Sequence, residues 1–353
     1  MPVALACPDK FRGTLSAAAA AEALARGLEA AAAGGRRFDE VRRLPLADGG
    51  EGTLDALLAA RGGSVRSALV TGPLGDPVDA EWGVLPDGTA VVESARASGL
   101  ALVGGVNDPL VATSRGTGEL MMAAARAGAR RIIVAVGGSA MTDGGLGAVD
   151  ALGWSLAGVE VTVACDVVTP FLEAAEVFGP QKGATAAQVS LLRRRLERLA
   201  EVYRDRTGVD VSRLRYAGAA GGLAGGLAAI GARLEAGFEV VAQAAGLEAA
   251  LAGADLVVTG EGRLDPSSLD GKVPGSVLEW AEAEGVAHRA VVAGQVDGQV
   301  RAQLPDDVLV LALVERVWQE GEAWSRAETL VEEAAVEAGR WALDLLGGGG
   351  KGG

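Results

Sequence analysis

Apolar and polar positions along the chain change their rhythm twice. At the start, the unbroken apolar run VALAC (3–7) is followed by an Ala-rich stretch that Ser16 introduces and that runs to about residue 28. A short apolar run of this kind predicts a buried strand, and Ser before a periodic Ala/Leu stretch predicts a capped helix. VRRLPL (41–46) predicts a second strand, and residues 53–58 the start of a second helix. Strand and helix in alternation predict a parallel sheet covered by helices.

From about Val65 the pattern becomes alternating. VRSALVTG, VDAEWGVL and TAVVESA are separated by Gly-Asp-Pro and Pro-Asp-Gly, which predicts antiparallel hairpins. A helix over 118–127, a buried strand RIIVAVGG, a helix over 145–152, a strand VTVACDV and an Arg/Glu-rich helix over 186–203 follow. After Gly237 the first rhythm returns in ADLVVTGEG, a helix over 275–284, AHRAVVAG, VLVLALV and a helix over 327–345. The expected fold is therefore α/β with two unlike α/β domains. One is a flavodoxin- or Rossmann-like parallel-sheet domain, discontinuous over 1–64 and 237–353, and the other is an inserted mixed-sheet domain over 65–236. The glycine-rich end, 347–353, has no side chains to pack and is expected to be a disordered tail.

Length and charge narrow the function classes. At 353 residues, 49% of them hydrophobic, two domains of ordinary size can each bury a core. Residues 1–6 lack the basic start and long apolar run of a secretory signal. The most apolar region, 217–252, is broken by Arg233, Glu235 and Glu239, so no membrane span and no membrane partner are expected. Cys7 and Cys165 are the only cysteines, which excludes a disulfide scaffold and a four-thiolate zinc site and fits a reducing, cytoplasmic setting. His288 is the lone histidine, read as a strand-edge residue, so neither His-Glu-x-x-His zinc chemistry nor a protein-kinase His-Arg-Asp loop is present. The net charge of -14 argues against nucleic acid. Small anionic ligands stay in play where a few Lys and Arg converge, and oligomeric state stays open.

In parallel α/β sheets ligands bind beyond the carboxyl ends of strands. That rule selects CPDKFRGT, LADGGEGT, VGGSAMTDGG and VVTGEGRLD, each with glycines and an acid. Glycine at a helix start lets backbone N–H groups approach an anion. No Gly-x-x-x-x-Gly-Lys-Ser/Thr is present, since Lys272 has Pro266 where the first glycine belongs. Gly260-x-Gly262-x-x-Asp265 replaces the third glycine of a dinucleotide fingerprint with an acid. Phosphoryl transfer to a hydroxyl needs a carboxylate base, carboxylates for magnesium, and cations or N–H groups for phosphates. The four loops supply Asp9, Lys10, Arg12, Asp48, Glu51, Ser139, Thr142, Asp143, Glu261 and Asp265. Bland readings stand beside this one: Asp48 and Asp143 as helix caps, Lys10 and Arg12 as surface charges, and residues 193–195 with Glu197 as a solvated helix face.

Taken in order, CPDKFRGTLSA, LADGGEGT, VTGPLGDPV, ESARASGL, ATSRGTGEL, VGGSAMTDGGLG, VACDV, FGPQKGAT, GAAGGLAGG and ADLVVTGEGRLD followed by GKVPGSV resemble the bacterial glycerate kinase family. This is the type I group, distinct from the sugar-kinase-like and MOFRL types. The resemblance runs nearly end to end. It implies ATP-dependent phosphorylation of D-glycerate, with Mg2+, by two unlike α/β domains around a cleft. Arg12 stands where the family usually has Lys, Met141 where a small or polar residue is common, and CDVVTPF departs from the frequent Cys-Asp-Val-x-Asn-Pro-Leu. Roles follow from chemistry rather than from the resemblance. Asp48 is the expected base, and Lys10 and Arg12 neutralise phosphates. Asp9, Glu51, Ser139, Thr142 and Asp143 bind substrate or phosphate, Arg115 and Lys182 meet the glycerate carboxylate, and Glu261 and Asp265 hold magnesium. 2-Phosphoglycerate is the favoured product. A kinase for another small hydroxy acid and a non-catalytic sensor of such an acid or a nucleotide are the alternatives.

Overall fold

A computed structural model describes residues 1–156, 158–318 and 320–348. Among them the strands are β1 (Val3–Ala6), β2 (Glu40–Arg43), β3 (Ser64–Thr71), β4 (Pro77–Val84), β5 (Ala90–Glu93), β6 (Arg131–Ala135), β7 (Glu160–Cys165), β8 (Arg233–Ala236), β9 (Leu256–Leu264), β10 (His288–Val296) and β11 (Val308–Ala312). The chain divides into two units. One comprises Met1–Ala47, Asp55–Ala60 and the chain from Val241 on; the other comprises Asp48–Leu54 and Arg61–Val240.

The first unit is built on a five-stranded parallel sheet in the order β11-β10-β9-β1-β2. Its central strands are apolar on both faces, as a sheet covered on both sides requires: Leu5, Val257, Val258, Val291 and Val292 are fully buried. Ser16 caps the helix Ala17–Ala30 by accepting from Ala19 N at 3.1 Å. That helix packs on Ala327–Gly348 at very short range, because a Cβ on Gly27 would meet Glu332 O at 2.2 Å and Ala335 Cβ at 2.6 Å. The alanines that made the stretch read as a helix are thus also what lets the two helices approach. Gly347 and Gly348 close the second helix, and 349–353 of the expected tail lie outside the described residues.

The second unit carries a six-stranded mixed sheet, β3-β4-β5-β6-β7-β8, antiparallel from β3 to β5 and parallel from β5 to β8. The two sheets match the expected pair of unlike α/β folds. One face packs Val92, Ile132, Val134, Val161 and Val163 against Leu120, Met121, Leu223 and Leu227. A second cluster forms where the helix Ala186–Thr207 sets Leu192, Leu196, Leu199 and Tyr203 against Phe171. A Thr185/Gln188 capping box starts this helix and Gly208, at φ 79, ends it. Each unit holds one cysteine at the end of a parallel strand: Cys7 follows β1 and Cys165 closes β7, both buried. Burial pushes both thiols above the usual thiol range. No helix of the described residues is long and apolar enough to cross a membrane.

Candidate active site

In the second unit, the Asp48–Leu54 loop lies against the loop that leaves β6. Val136 N donates to Gly49 O at 3.1 Å, and a Cβ on Gly137 would fall 2.6 Å from Gly50 Cα and 3.1 Å from Glu51 N. Two glycine backbones therefore touch where side chains would hold them apart. Gly49 is left-handed, at φ 89, with Gly237 Cα 2.6 Å from where its Cβ would be, so only glycine fits there. Two carboxylates approach Gly50 on the side where a Cβ would stand. From the place of its missing Cβ, Asp48 Oδ1 is 3.1 Å away and Asp166 Oδ2 is 3.7 Å away. Glu51 is exposed, with Oε2 3.8 Å from the corresponding point on Gly138.

Asp48 accepts from Gly50 N at 3.1 Å and leaves the start of the helix Thr53–Arg61 to others. Thr53 Oγ1 donates to Gly50 O at 2.7 Å, and Leu54 N donates to Glu93 Oε1 at 2.8 Å. Glu93, buried at the end of β5, accepts at this helix start in place of Asp48. Asp166, directly after β7, escaped the sequence reading. Its signal was there, an acid at the carboxyl end of a parallel strand in VACDV, but without glycines beside it.

The loop after β6 is fastened from both sides. Ser94 Oγ donates to Gly137 O at 3.3 Å, Leu100 N to Gly138 O at 2.9 Å and Ala140 N to Ser98 O at 2.9 Å. Lys182, only 3% exposed, donates from Nζ to Ser139 Oγ at 3.0 Å and to Met141 O at 2.5 Å. Asn107 Nδ2 donates to Ala140 O at 3.0 Å and Lys182 O at 2.8 Å. Burial pushes the Lys182 ammonium down to about 7, against the pull of Asp143 and Asp166. Lys182 thus faces inward and secures the loop.

Asp143 is a hub of backbone capping. Oδ2 accepts from Ser114 N and Ser114 Oγ, both at 2.8 Å, and from Gly147 N at 3.3 Å, while Oδ1 accepts from Gly145 N at 3.0 Å. Its carboxylate ties the start of the helix Arg115–Arg126 to that of Leu146–Ala151. Arg115 itself is exposed and pairs with Glu119 at 2.9 Å, one turn along its helix. Thr142 is buried, and its hydroxyl has no hydrogen-bond partner.

In the first unit, the Asp9–Arg12 loop and β9 run side by side. Asp9 N donates to Gly260 O at 2.8 Å, and Gly262 has Arg12 N 3.0 Å from where its Cβ would be. Lys10 N donates to Asp9 Oδ1 at 2.6 Å, Lys10 is half-buried and Arg12 is exposed. Glu261 was expected to follow its strand on a glycine turn, but β9 continues through it to Leu264, with Glu261 opposite Ala293 of β10. The glycines on either side permit this: a Cβ on Gly260 would strike Val292 O at 2.1 Å, so the strand stays paired only without one. Asp265 caps the short helix Pro266–Leu269, its Oδ1 accepting from Ser267 N at 2.9 Å and Ser267 Oγ at 2.5 Å. The Ser267 hydroxyl and N–H hold its carboxyl below the usual carboxylate range.

Glycine loops at parallel strand ends with carboxylates and cations beside them are the parts of a phosphoryl-transfer site. The sequence model of the Glycerate kinase family matches residues 4–158 and 154–343. The Glycerate 2-kinase of Escherichia coli (strain K12) is 40% identical over 342 residues, 86% of this chain and 86% of that protein. The Glycerate kinase of Bacillus subtilis (strain 168) is 41% identical over 312 residues, 78% of this chain and 81% of that protein. A crystal structure of a protein from Salmonella typhimurium LT2 assigned as glycerate kinase 2 superposes with a TM-score of 0.80 at 34% identity and covers 99% of each chain. Matched in sequence along nearly its whole length and in fold throughout, the chain belongs to the glycerate kinase family.

Proposed function

We propose that the protein transfers the γ-phosphoryl group of ATP to a hydroxyl of D-glycerate, giving 2-phosphoglycerate. Family membership carries the reaction class, that of kinases with an alcohol acceptor. The name of the 40% identical Glycerate 2-kinase supports the 2-hydroxyl. The observation that carries the site is the pair of carboxylates, Asp48 and Asp166, beside the bare backbone of Gly50. Asp48 takes the proton as the glycerate oxygen bonds to the γ-phosphorus, and the bond from that phosphorus to the bridging oxygen breaks to release ADP. Asp166 accepts a hydrogen bond from the second hydroxyl and so fixes which one reacts. Backbone N–H groups around Gly137, Gly138 and Ser139 suit an anion, because no side chains shield them.

Lys10 and Arg12 remain the proposed phosphate cations. Magnesium fits Glu261 and Asp265 by donor chemistry: both hydrogen bonds from Ser267 fall on Asp265 Oδ1, so Oδ2 lies outside them. When bound, the ion offsets the charge of the transferring group. The test is ADP release from magnesium-ATP with and without D-glycerate, followed by adding enolase to the product. Glycerate-dependent ADP release with direct conversion by enolase is expected. ADP release that ignores glycerate, or that needs another hydroxy acid, would overturn the substrate. A product that enolase takes only after a mutase is added would reassign the hydroxyl.

A further inference from the structure

The Arg-rich helix Ala186–Thr207 reads in sequence as a solvated face, yet part of it borders a cavity of about 540 Å3 inside the second unit. Leu192, Leu196, Leu199 and Val202, one to two turns apart, form one wall, and Leu110 and Leu146 contribute to the other. That volume falls in the range of small-ligand pockets, about 300–1,000 Å3. Arg194 and Arg198, both exposed and one turn apart, lie on its border together with Arg195. Arg198 pairs with Glu201 at 2.6 Å and Arg195 Nη1 donates to Leu110 O at 2.9 Å, so three guanidinium groups face one paired carboxylate and the border keeps a net positive charge that suits an anion. The lining also includes Asp143, whose oxygens are already taken by Ser114, Gly145 and Gly147, and Thr142, whose buried hydroxyl lacks a partner. Buried hydroxyls ordinarily have one. Aliphatic walls, one unsatisfied hydroxyl and a cationic border fit a ligand with a flat apolar body, a hydrogen-bonding edge and a negative charge.

We propose that this cavity receives the purine ring of the phosphoryl donor, with Arg194 and Arg198 opposing its phosphate charge. The choice of a nucleotide rests on the kinase reading above. Support comes from chain continuity, since Thr142 belongs to the same loop as Ser139, three residues before it, which Lys182 holds beside Gly137 and Gly138. Binding of ADP to the full chain, measured by calorimetry, is the direct test. The exposed double variant Arg194→Glu/Arg198→Glu should weaken ADP about tenfold, from loss of two charge contacts of modest worth each. Thr142→Val should weaken it roughly two- to tenfold, the value of one hydrogen bond. KM for ATP should rise by the same factors while KM for glycerate stays fixed. Wild-type ADP affinity and an unchanged KM for ATP in the double variant would overturn the cavity's role and leave the kinase reading standing. If the wild-type chain binds ADP, loses it in the variants and phosphorylates no glycerate, the kinase reading fails and the cavity stands.

Discussion

Asp48 and Asp143 each precede two glycines, and their surroundings give them different work. Asp48 makes one backbone hydrogen bond, to Gly50 N, which an amide oxygen would accept equally well. Asp48→Asn should therefore leave unfolding by denaturant unchanged while turnover falls roughly 10²- to 10⁴-fold, the span for loss of a general base. Near-normal turnover would return Asp48 to a turn-forming role. Asp143 uses both oxygens, so Asp143→Asn must turn an NH2 group toward either Gly145 N–H or Ser114 N–H. It should lose about 1–3 kcal/mol of stability, seen as a lower denaturant midpoint. Lys182 adds a pH signature. Its folded value, about 7, lies below the ordinary 10.5, so between those limits the unfolded chain binds a proton that the folded chain releases. Stability from this group rises with pH across that window. From pH 7 to 8, below the ordinary thiol value at which the unfolded cysteines ionise and pull the other way, the rise should be about 1 kcal/mol, and Lys182→Met should flatten it. The acid-glycine-glycine spelling was legible in the sequence; which acid was saturated by donors was not, because beside the local Gly145 and Gly147 N–H groups Asp143 also accepts from Ser114 N and Oγ, 29 positions away.

At the scale of elements, periodicity located the strands and helices that are apolar or strongly amphipathic, including β1, β6, β10 and the helices Ala17–Ala30 and Ala186–Thr207. It left out β8, whose four residues, Arg-Leu-Glu-Ala, include two charges, and which stands at a sheet edge with only β7 beside it. It ended β9 too early, because Gly260-Glu261-Gly262 reads as a turn and only the neighbouring backbones reveal that glycine is needed inside the ladder. The contact of Gly50 with Gly137 has the same origin. Gly137→Ala would place a methyl 2.6 Å from Gly50 Cα, backbone against carbon with no flexible end to yield. The two loops would have to part, and turnover should fall below a tenth of wild type with the far-ultraviolet dichroism of the sheets retained. Full activity in that variant would separate the Gly137 loop from the chemistry.

For the whole molecule, an acidic chain with a few cations gathered in loops favours small anions as ligands by its charge. The return of the first rhythm after Gly237 led to the expectation of an insertion over 65–236, whereas the two compact units are Met1–Ala47 with Asp55–Ala60 and the chain from Val241 on, and Asp48–Leu54 with Arg61–Val240. The pair of sequestered thiols has a use beyond showing that the cores are dry. Because Cys7 belongs to one unit and Cys165 to the other, and neither is reachable in the native state, each is a reporter of a separate opening event. In Cys7→Ala and Cys165→Ala variants, an aromatic disulfide reagent should label nothing without denaturant. In low denaturant it should read out two clocks, one for each unit. Immediate labelling of either native thiol would contradict the burial. Identical rates over a range of denaturant would mean that the two units unfold as one cooperative body, so that a single destabilising change in either would put both halves of the enzyme at risk of proteolysis together.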